Sequence, residues 1–219
     1  MDKLRLRFTK TGRARYISHL DLMRTMQRAF LRAGYPLKYS EGYNPHAQIS
    51  IALPLSVGAE SLCELMDFKL EREENLSEMP AALTEKMPEG IVALEVYEAA
   101  RKPAQIKWLE VEGAFEYDDR DASQMAAALN EFYSAESIVI MKRTKRGEGE
   151  SDIRPAIKSI EFAAAGELVT AKMVISAQEP TLNPELIADA LRQLKPEIAP
   201  DFAKFKRIET FDSEMAVYR

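Results

Sequence analysis

Near its start the chain alternates apolar and basic positions: Leu4, Leu6 and Phe8 stand against Lys3, Arg5 and Arg7. A period of two is the signature of a strand with unlike faces, so residues 3–9 are predicted to be one. The period then lengthens. Leu22, Met23, Met26, Ala29, Phe30 and Ala33 recur at 3.6-residue spacing and predict a helix over 18–33 with one apolar side. Ser18 suits its N-cap, with Asp21 three residues on as a short capping-box partner. Gly34 fits the position just past its end, and Pro36 prevents continuation. A loop over 40–47 leads to predicted strands at 48–53 and 61–71, a helix at 76–87 and a strand at 91–98. The resulting order, βαββαβ, is the ferredoxin-like arrangement.

Past a linker-like AARKPAQ segment at 99–105, the same order returns without sequence repetition. Strands are predicted at 106–117 and 137–144, with a helix at 121–133 capped by Asp121 between them. The polar tip KRGEGESD follows, then a hairpin of 155–163 and 167–176 around Ala165-Gly166. A helix starting at Asn183-Pro184 runs to about 195, and a last strand spans 204–212. The expectation is α+β: two tandem ferredoxin-like halves with antiparallel sheets, over 1–100 and 105–219, the second with one strand more.

Composition narrows the class. Of 219 residues, 46% are hydrophobic and 30% charged, the balance of a soluble globular chain. No apolar run approaches the roughly 20 residues of a membrane span, so no membrane partner is expected. The opening MDKLRLRFTK does not read as a signal peptide, and the single Cys63 excludes an internal disulfide, so the expected compartment is the cytoplasm. One cysteine and two histidines exclude a zinc finger or iron–sulfur cluster built by this chain alone; no metal and no cofactor is expected. Net charge is −5, yet residues 1–60 hold ten Lys and Arg against four Asp and Glu. An acidic protein with a basic end can still bind a phosphate backbone there.

The basic end also holds the candidate chemistry. Arg24, Arg28 and Arg32 follow at i, i+4, i+8 and line one side of the first helix, roughly opposite its apolar stripe. They form either a solvated face meeting acidic residues of the second half or a track for phosphates, whose oxygens match the guanidinium fork. Arg15, Tyr16, Ser18 and Asp21 precede or open that helix. His19 falls beside the apolar stripe and is expected to point toward the sheet or its edge, as a structural residue or as part of an anion site. The loop that follows supplies Tyr39, Ser40, Gly42, Tyr43, Asn44 and His46. Its tyrosines can stack on bases, and His46 can act as acid or base near neutral pH. Weaker candidates lie at the polar tip: Arg143, Lys145 and Arg146 as a basic arm, then Asp152 and Arg154. A carboxylate of the 61–71 strand, Glu64 or Asp67, is a further partner for the arginines. No paired carboxylates, Ser/His/Asp order, Walker loop or GxGxxG is present.

The stretch YISHLDLMRTMQRAFLRAGYPLKYSEGYNPHAQISIALPLSVGAES, residues 16–61, resembles the opening of the radical SAM-linked domain family, and the likeness continues more loosely through SDIRPAIKS at 151–159 to the end. Members are fused to the C-terminus of a cobalamin-binding-type radical SAM protein or encoded beside one, and neighbour genes for ribonuclease E/G and ribosomal proteins. The resemblance implies a non-catalytic accessory module, partnered with a radical SAM protein and acting on RNA (tRNA or rRNA) or a translation-related substrate. With one cysteine, the chain cannot itself hold the three-cysteine cluster of such an enzyme. The paired βαββαβ architecture also resembles the CRISPR repeat-processing endonucleases, which leaves a second expectation: a metal-independent RNA endonuclease using His19 or His46. Likeness of architecture does not fix function.

Overall fold

The structure, a computed structural model, describes residues 3–144 and 147–219. It resolves into two compact units, divided after Gln105, with the terminal Arg219 grouped with the first.

In the first unit, β1 (Leu4–Lys10) leads through a 3₁₀ turn at Gly12–Tyr16 to α1 (His19–Arg32). Then come β2 (Ile49–Ala52), β3 (Glu60–Phe68), the short α2 (Met79–Thr84) and β4 (Ile91–Glu98). The sheet runs β4–β1–β3, and β2 pairs with β3 from Ile49 opposite Phe68 to Ala52 opposite Leu65. Each of these pairings is antiparallel. The apolar side of β1 behaves as its alternation predicts. Leu6 and Phe8, with Met66 and Phe68 of β3, pack against Leu22, Met26 and Phe30 of α1 and Met79 and Leu83 of α2. Phe30 meets Phe68 edge-on, with ring centroids 4.8 Å apart.

Both ends of α1 are closed by local chemistry. Ser18 Oγ accepts from the Asp21 N–H at 3.2 Å and donates to Asp21 Oδ2 at 2.8 Å. At the other end Gly34 takes φ +81°, its N–H bonds Leu31 O, and Tyr35 N–H bonds Phe30 O. These are the two bonds of a Schellman close, which needs a residue tolerant of the left-handed region. Loss of the cap by Ser18→Ala is expected to cost about 1 kcal/mol, read as a fall in the denaturation midpoint and faster amide exchange in the first turn of α1.

The second unit runs β5 (Trp108–Glu116), α3 (Ala122–Tyr133), β6 (Val139–Thr144), β7 (Gly147–Asp152), β8 (Ile157–Ala165), β9 (Leu168–Ser176), α4 (Glu185–Leu194) and β10 (Phe202–Phe211). Its sheet has the order β10–β5–β9–β8, again antiparallel, while β6 and β7 form a separate two-stranded ribbon. The architecture is α+β with antiparallel sheets and few helices.

Three expectations change in detail. The helix predicted over 76–87 is only six residues long, because Pro88-Glu89-Gly90 and an Asn75–Ser77 turn close on it from both sides. The polar tip after 144 is not a simple loop: GEGESD forms β7, held by pairing with β6 rather than by any apolar pattern of its own. The second unit therefore exceeds the first by two strands, not one. Among the described residues, no helix is long and apolar enough to cross a membrane.

Candidate functional site

The basic side of α1 is open to solvent. Arg24, Arg28 and Arg32 are all exposed. Arg24 is ion-paired to Asp21 Oδ1 at 3.1 Å one turn back. Ser18 and then Arg24 hydrogen-bond the Asp21 carboxylate and hold it below the usual carboxylate range, with the charge of Arg28 adding to the effect. Among the described residues, no carboxylate forms an ion pair with Arg28 or Arg32. The same exposed side carries two large apolar residues, Leu20 and Leu31, at 67% and 78% exposure. His19 is exposed too, which corrects the expectation that it faces the sheet. Helical side chains lean toward the N-terminus, and at the first helical position no preceding turn lies beneath to receive one.

The turn before α1 is fixed from below. Lys10 is fully buried and its Nζ donates to Arg15 O at 3.1 Å; the Gly58 N–H donates to the same carbonyl at 2.9 Å. Burial lowers the Lys10 pKa, and the charge of Glu64 works against that fall. Glu60 Oε1 accepts from Gly12 N–H at 2.9 Å and stands 3.7 Å from the Arg15 guanidinium. That guanidinium in turn lies 4.8 Å over the Tyr16 ring and donates to the Tyr16 hydroxyl at 2.7 Å. Arg15 and Tyr16 thus form one stacked cationic unit at the entry to α1.

Residues 37–48 form a small hairpin rather than an irregular loop. Leu37 bridges Leu70, Tyr39 bridges Ala47, and Ser40 N–H bonds His46 O at 2.8 Å. Gly42 takes φ +118° at the tip, where Tyr43 and Asn44 are exposed and unobstructed. Ser40 also ties the imidazole: its Oγ is 2.9 Å from His46 Nδ1 and accepts from the His46 backbone N–H at 3.1 Å. Ser40 thereby engages the Nδ1 side of the ring and leaves Nε2 as the nitrogen turned away from it; in the tautomer that carries Nε2–H the hydroxyl donates to Nδ1.

His46 lines a cleft of about 250 Å³ with Lys3, Gln48, Ser50, Asp67 and Lys69. Beside it lies a buried pair that the alternation of β1 conceals. Arg5 faces away from the apolar core yet is fully buried. Its Nε donates to Asp67 Oδ1 at 2.6 Å, its second guanidinium nitrogen to Asp67 Oδ2 at 3.2 Å and to Arg101 O at 2.9 Å. Lys3 Nζ completes the set, 2.6 Å from Asp67 Oδ2. The carboxylate expected to serve the arginine ladder of α1 serves Arg5 instead. His19 is not among the residues of this cleft. Lys3 and Lys69 escape sequence reasoning. The available signal was the register, which sets Arg5 opposite Asp67 and so aligns β1 with the end of β3.

The weaker candidates divide. Asp152 accepts from Ser137 Oγ, Ile138 N–H and Arg154 N–H, each at 2.9 Å, and the two backbone bonds chiefly hold it below the usual carboxylate range. Arg154 donates to Ala135 O and Ile157 O at 3.1 and 2.8 Å. Both residues brace the base of the β6–β7 ribbon, so their polar groups serve the fold. Arg143 belongs to β6, its side chain outside the described part, and Lys145 and Arg146 lie outside the described residues.

A family model described as "Uncharacterized protein conserved in bacteria (DUF2344)" matches residues 3–184. No curated protein matches the chain. Among solved structures, the chain is similar to one in the "Crystal Structure of a Cbf5-Nop10-Gar1 Complex", at 10% identity and a TM-score of 0.51, over 94% of this chain and 48% of that one. It therefore spans about half of that chain's length, and the likeness is one of fold alone. A second match, to "an Unknown Protein from Galdieria sulphuraria", has 9% identity, covers 94% and 98% of the two chains and reaches a TM-score of only 0.27, too low to carry an argument.

Proposed function

We propose, from the premise that this chain belongs to the family of uncharacterized proteins conserved in bacteria, DUF2344, that it is a non-catalytic binding module whose first unit takes RNA. The observation that carries the reading is the exposed ladder of α1, in which Arg28 and Arg32, among the described residues, stand without an ion pair beside the partly engaged Arg24. Like charges one turn apart repel, so helix stability does not account for them. A polyanion with phosphates along its length does. The stacked Arg15–Tyr16 pair and the exposed Tyr39 and Tyr43 add planar groups on which bases stack. The order β4–β1–β3 with β2 beyond, and its counterpart β10–β5–β9–β8, support reading each unit as ferredoxin-like, the second carrying β6–β7 as an insertion. The resemblance of residues 16–61 to the radical SAM-linked domain family supports the wider role of accessory to a separate radical SAM protein.

The test is single-stranded RNA binding over a salt series. Each phosphate contact contributes about 0.7 to the slope of log affinity against log salt for single strands. Arg28→Ala/Arg32→Ala is expected to flatten that slope by about 1.4 and to weaken binding at least tenfold at low salt. An unchanged slope removes α1 from the interface. A pull-down of the radical SAM partner, with and without ribonuclease treatment, separates a protein contact from an RNA bridge. A second reading, metal-independent endonuclease, rests on the Ser40-oriented His46 beside Lys3 and Lys69. It requires RNA cleavage in EDTA that His46→Ala abolishes.

A further inference from the structure

We infer that the cleft between the 46–50 arm and the end of β3 is a receptor for a phosphate monoester dianion, in which Lys69 and the Nε2–H of His46 are the principal donors. The inference deepens the RNA reading, on which it rests only for the biological source of the phosphate.

Charge comes first. Asp67 is the single carboxylate lining the cleft, and it is saturated: three donor groups, two from Arg5 and one from Lys3, lie within 3.2 Å of its oxygens. Of the lining residues, Lys3 and Lys69 outnumber it, so the cleft has a positive excess that an oxyanion matches. Donor orientation comes second. Ser40 engages Nδ1 and so orients the imidazole, whose Nε2–H, in the tautomer that accepts the hydroxyl hydrogen at Nδ1, donates to an oxyanion. A histidine whose other nitrogen is tied in this way loses little freedom on binding an oxyanion. Size comes third. A volume of about 250 Å³ holds a phosphate and a sugar-sized group, not a run of stacked nucleotides. The cleft therefore suits an end group or a free nucleotide, whereas α1 suits a continuing chain.

The experiment uses the whole chain, with ³¹P NMR or calorimetric titration against inorganic phosphate, 5′-AMP, the diester ApA and adenosine. Inorganic phosphate and 5′-AMP are expected to compete for one site, with ApA and adenosine at least tenfold weaker than 5′-AMP. Lys69→Ala is expected to lower the 5′-AMP affinity about tenfold, and His46→Ala to do the same; both positions are outside the core, and an unchanged denaturation midpoint checks that the fold survives. Lys86→Ala, which removes a like charge just past α2, leaves the affinity unchanged. Equal affinity for ApA and 5′-AMP, or indifference to Lys69→Ala, overturns the proposal. Comparing RNA with a 5′-phosphate or a 5′-hydroxyl then separates the two sources. Binding of 5′-AMP without RNA binding keeps the cleft and removes the RNA reading. RNA binding indifferent to the end group, with no 5′-AMP binding, does the reverse.

Discussion

Asp67→Ala is expected to destabilise the first unit by about 3–5 kcal/mol, the cost of removing one partner of a buried ion pair. The Arg5 side chain is 1% exposed and the Asp67 side chain 3%. The Arg101 carbonyl, which Arg5 also holds, is neutral and a weaker partner for a desolvated guanidinium than the carboxylate. Lys3, at 46% exposure, simply returns to water. The measurement is amide exchange along β1, which reads this unit directly, together with a denaturant midpoint. The pair need not be net stabilising, however. Arg5→Met/Asp67→Leu removes both charges and is expected to recover most of the loss, since apolar pairs of similar volume often equal or exceed buried ion pairs. A loss under about 1 kcal/mol for Asp67→Ala would mean that water reaches Arg5.

Gly90→Ala is expected to be nearly as costly, about 3 kcal/mol, from two separate causes. Gly90 holds φ +90°, a region that costs a residue with a Cβ about 1–2 kcal/mol. That Cβ would also come within 2.9 Å of Ala14 Cβ and far closer to the backbone oxygen of Thr11, where no flexible side chain can yield. Overpacking of this kind adds about 1–3 kcal/mol. The contrast is Gly42→Ala at φ +118°, where nothing lies within 4 Å of the new atom, so only the conformational cost applies. The consequence of Gly90→Ala also reaches the site. Thr11 N–H bonds Gly90 O at 2.8 Å, and Thr11 opens the turn carrying Arg15 and Tyr16. Weaker RNA binding by Gly90→Ala than by Gly42→Ala, at matched folded fraction, is the expected result.

Local signals in the chain identified α1 with both its caps because each is a contact between near neighbours: Ser18 with Asp21, Gly34 with Leu31, Tyr35 with Phe30. The strand at 91–98 was legible to the residue for the same kind of reason, its turn and its alternation being contiguous. The basic face of α1 was likewise legible, since helical periodicity alone sets three arginines on one side. Legibility failed where a partner distant in sequence decides the outcome. β7 has no strand pattern and exists through its pairing with β6. His19 reads as inward on a helical wheel, but a wheel does not know that the first turn has nothing beneath it. Lys3 and Lys69 have no motif in common and meet only because β1 and β3 pair in one register.

By itself, then, the sequence determined the α+β order of elements, the capped first helix, its arginine side and the position of a turn rich in tyrosine around His46. These follow from backbone geometry and residue spacing, which act over a few residues. Only the tertiary structure decided that Arg5 is buried against Asp67 and that a cleft lined by Lys3, His46 and Lys69 opens beside them. Burial and ion pairing depend on which segments, tens of residues apart, come to share a face, and no local period encodes that.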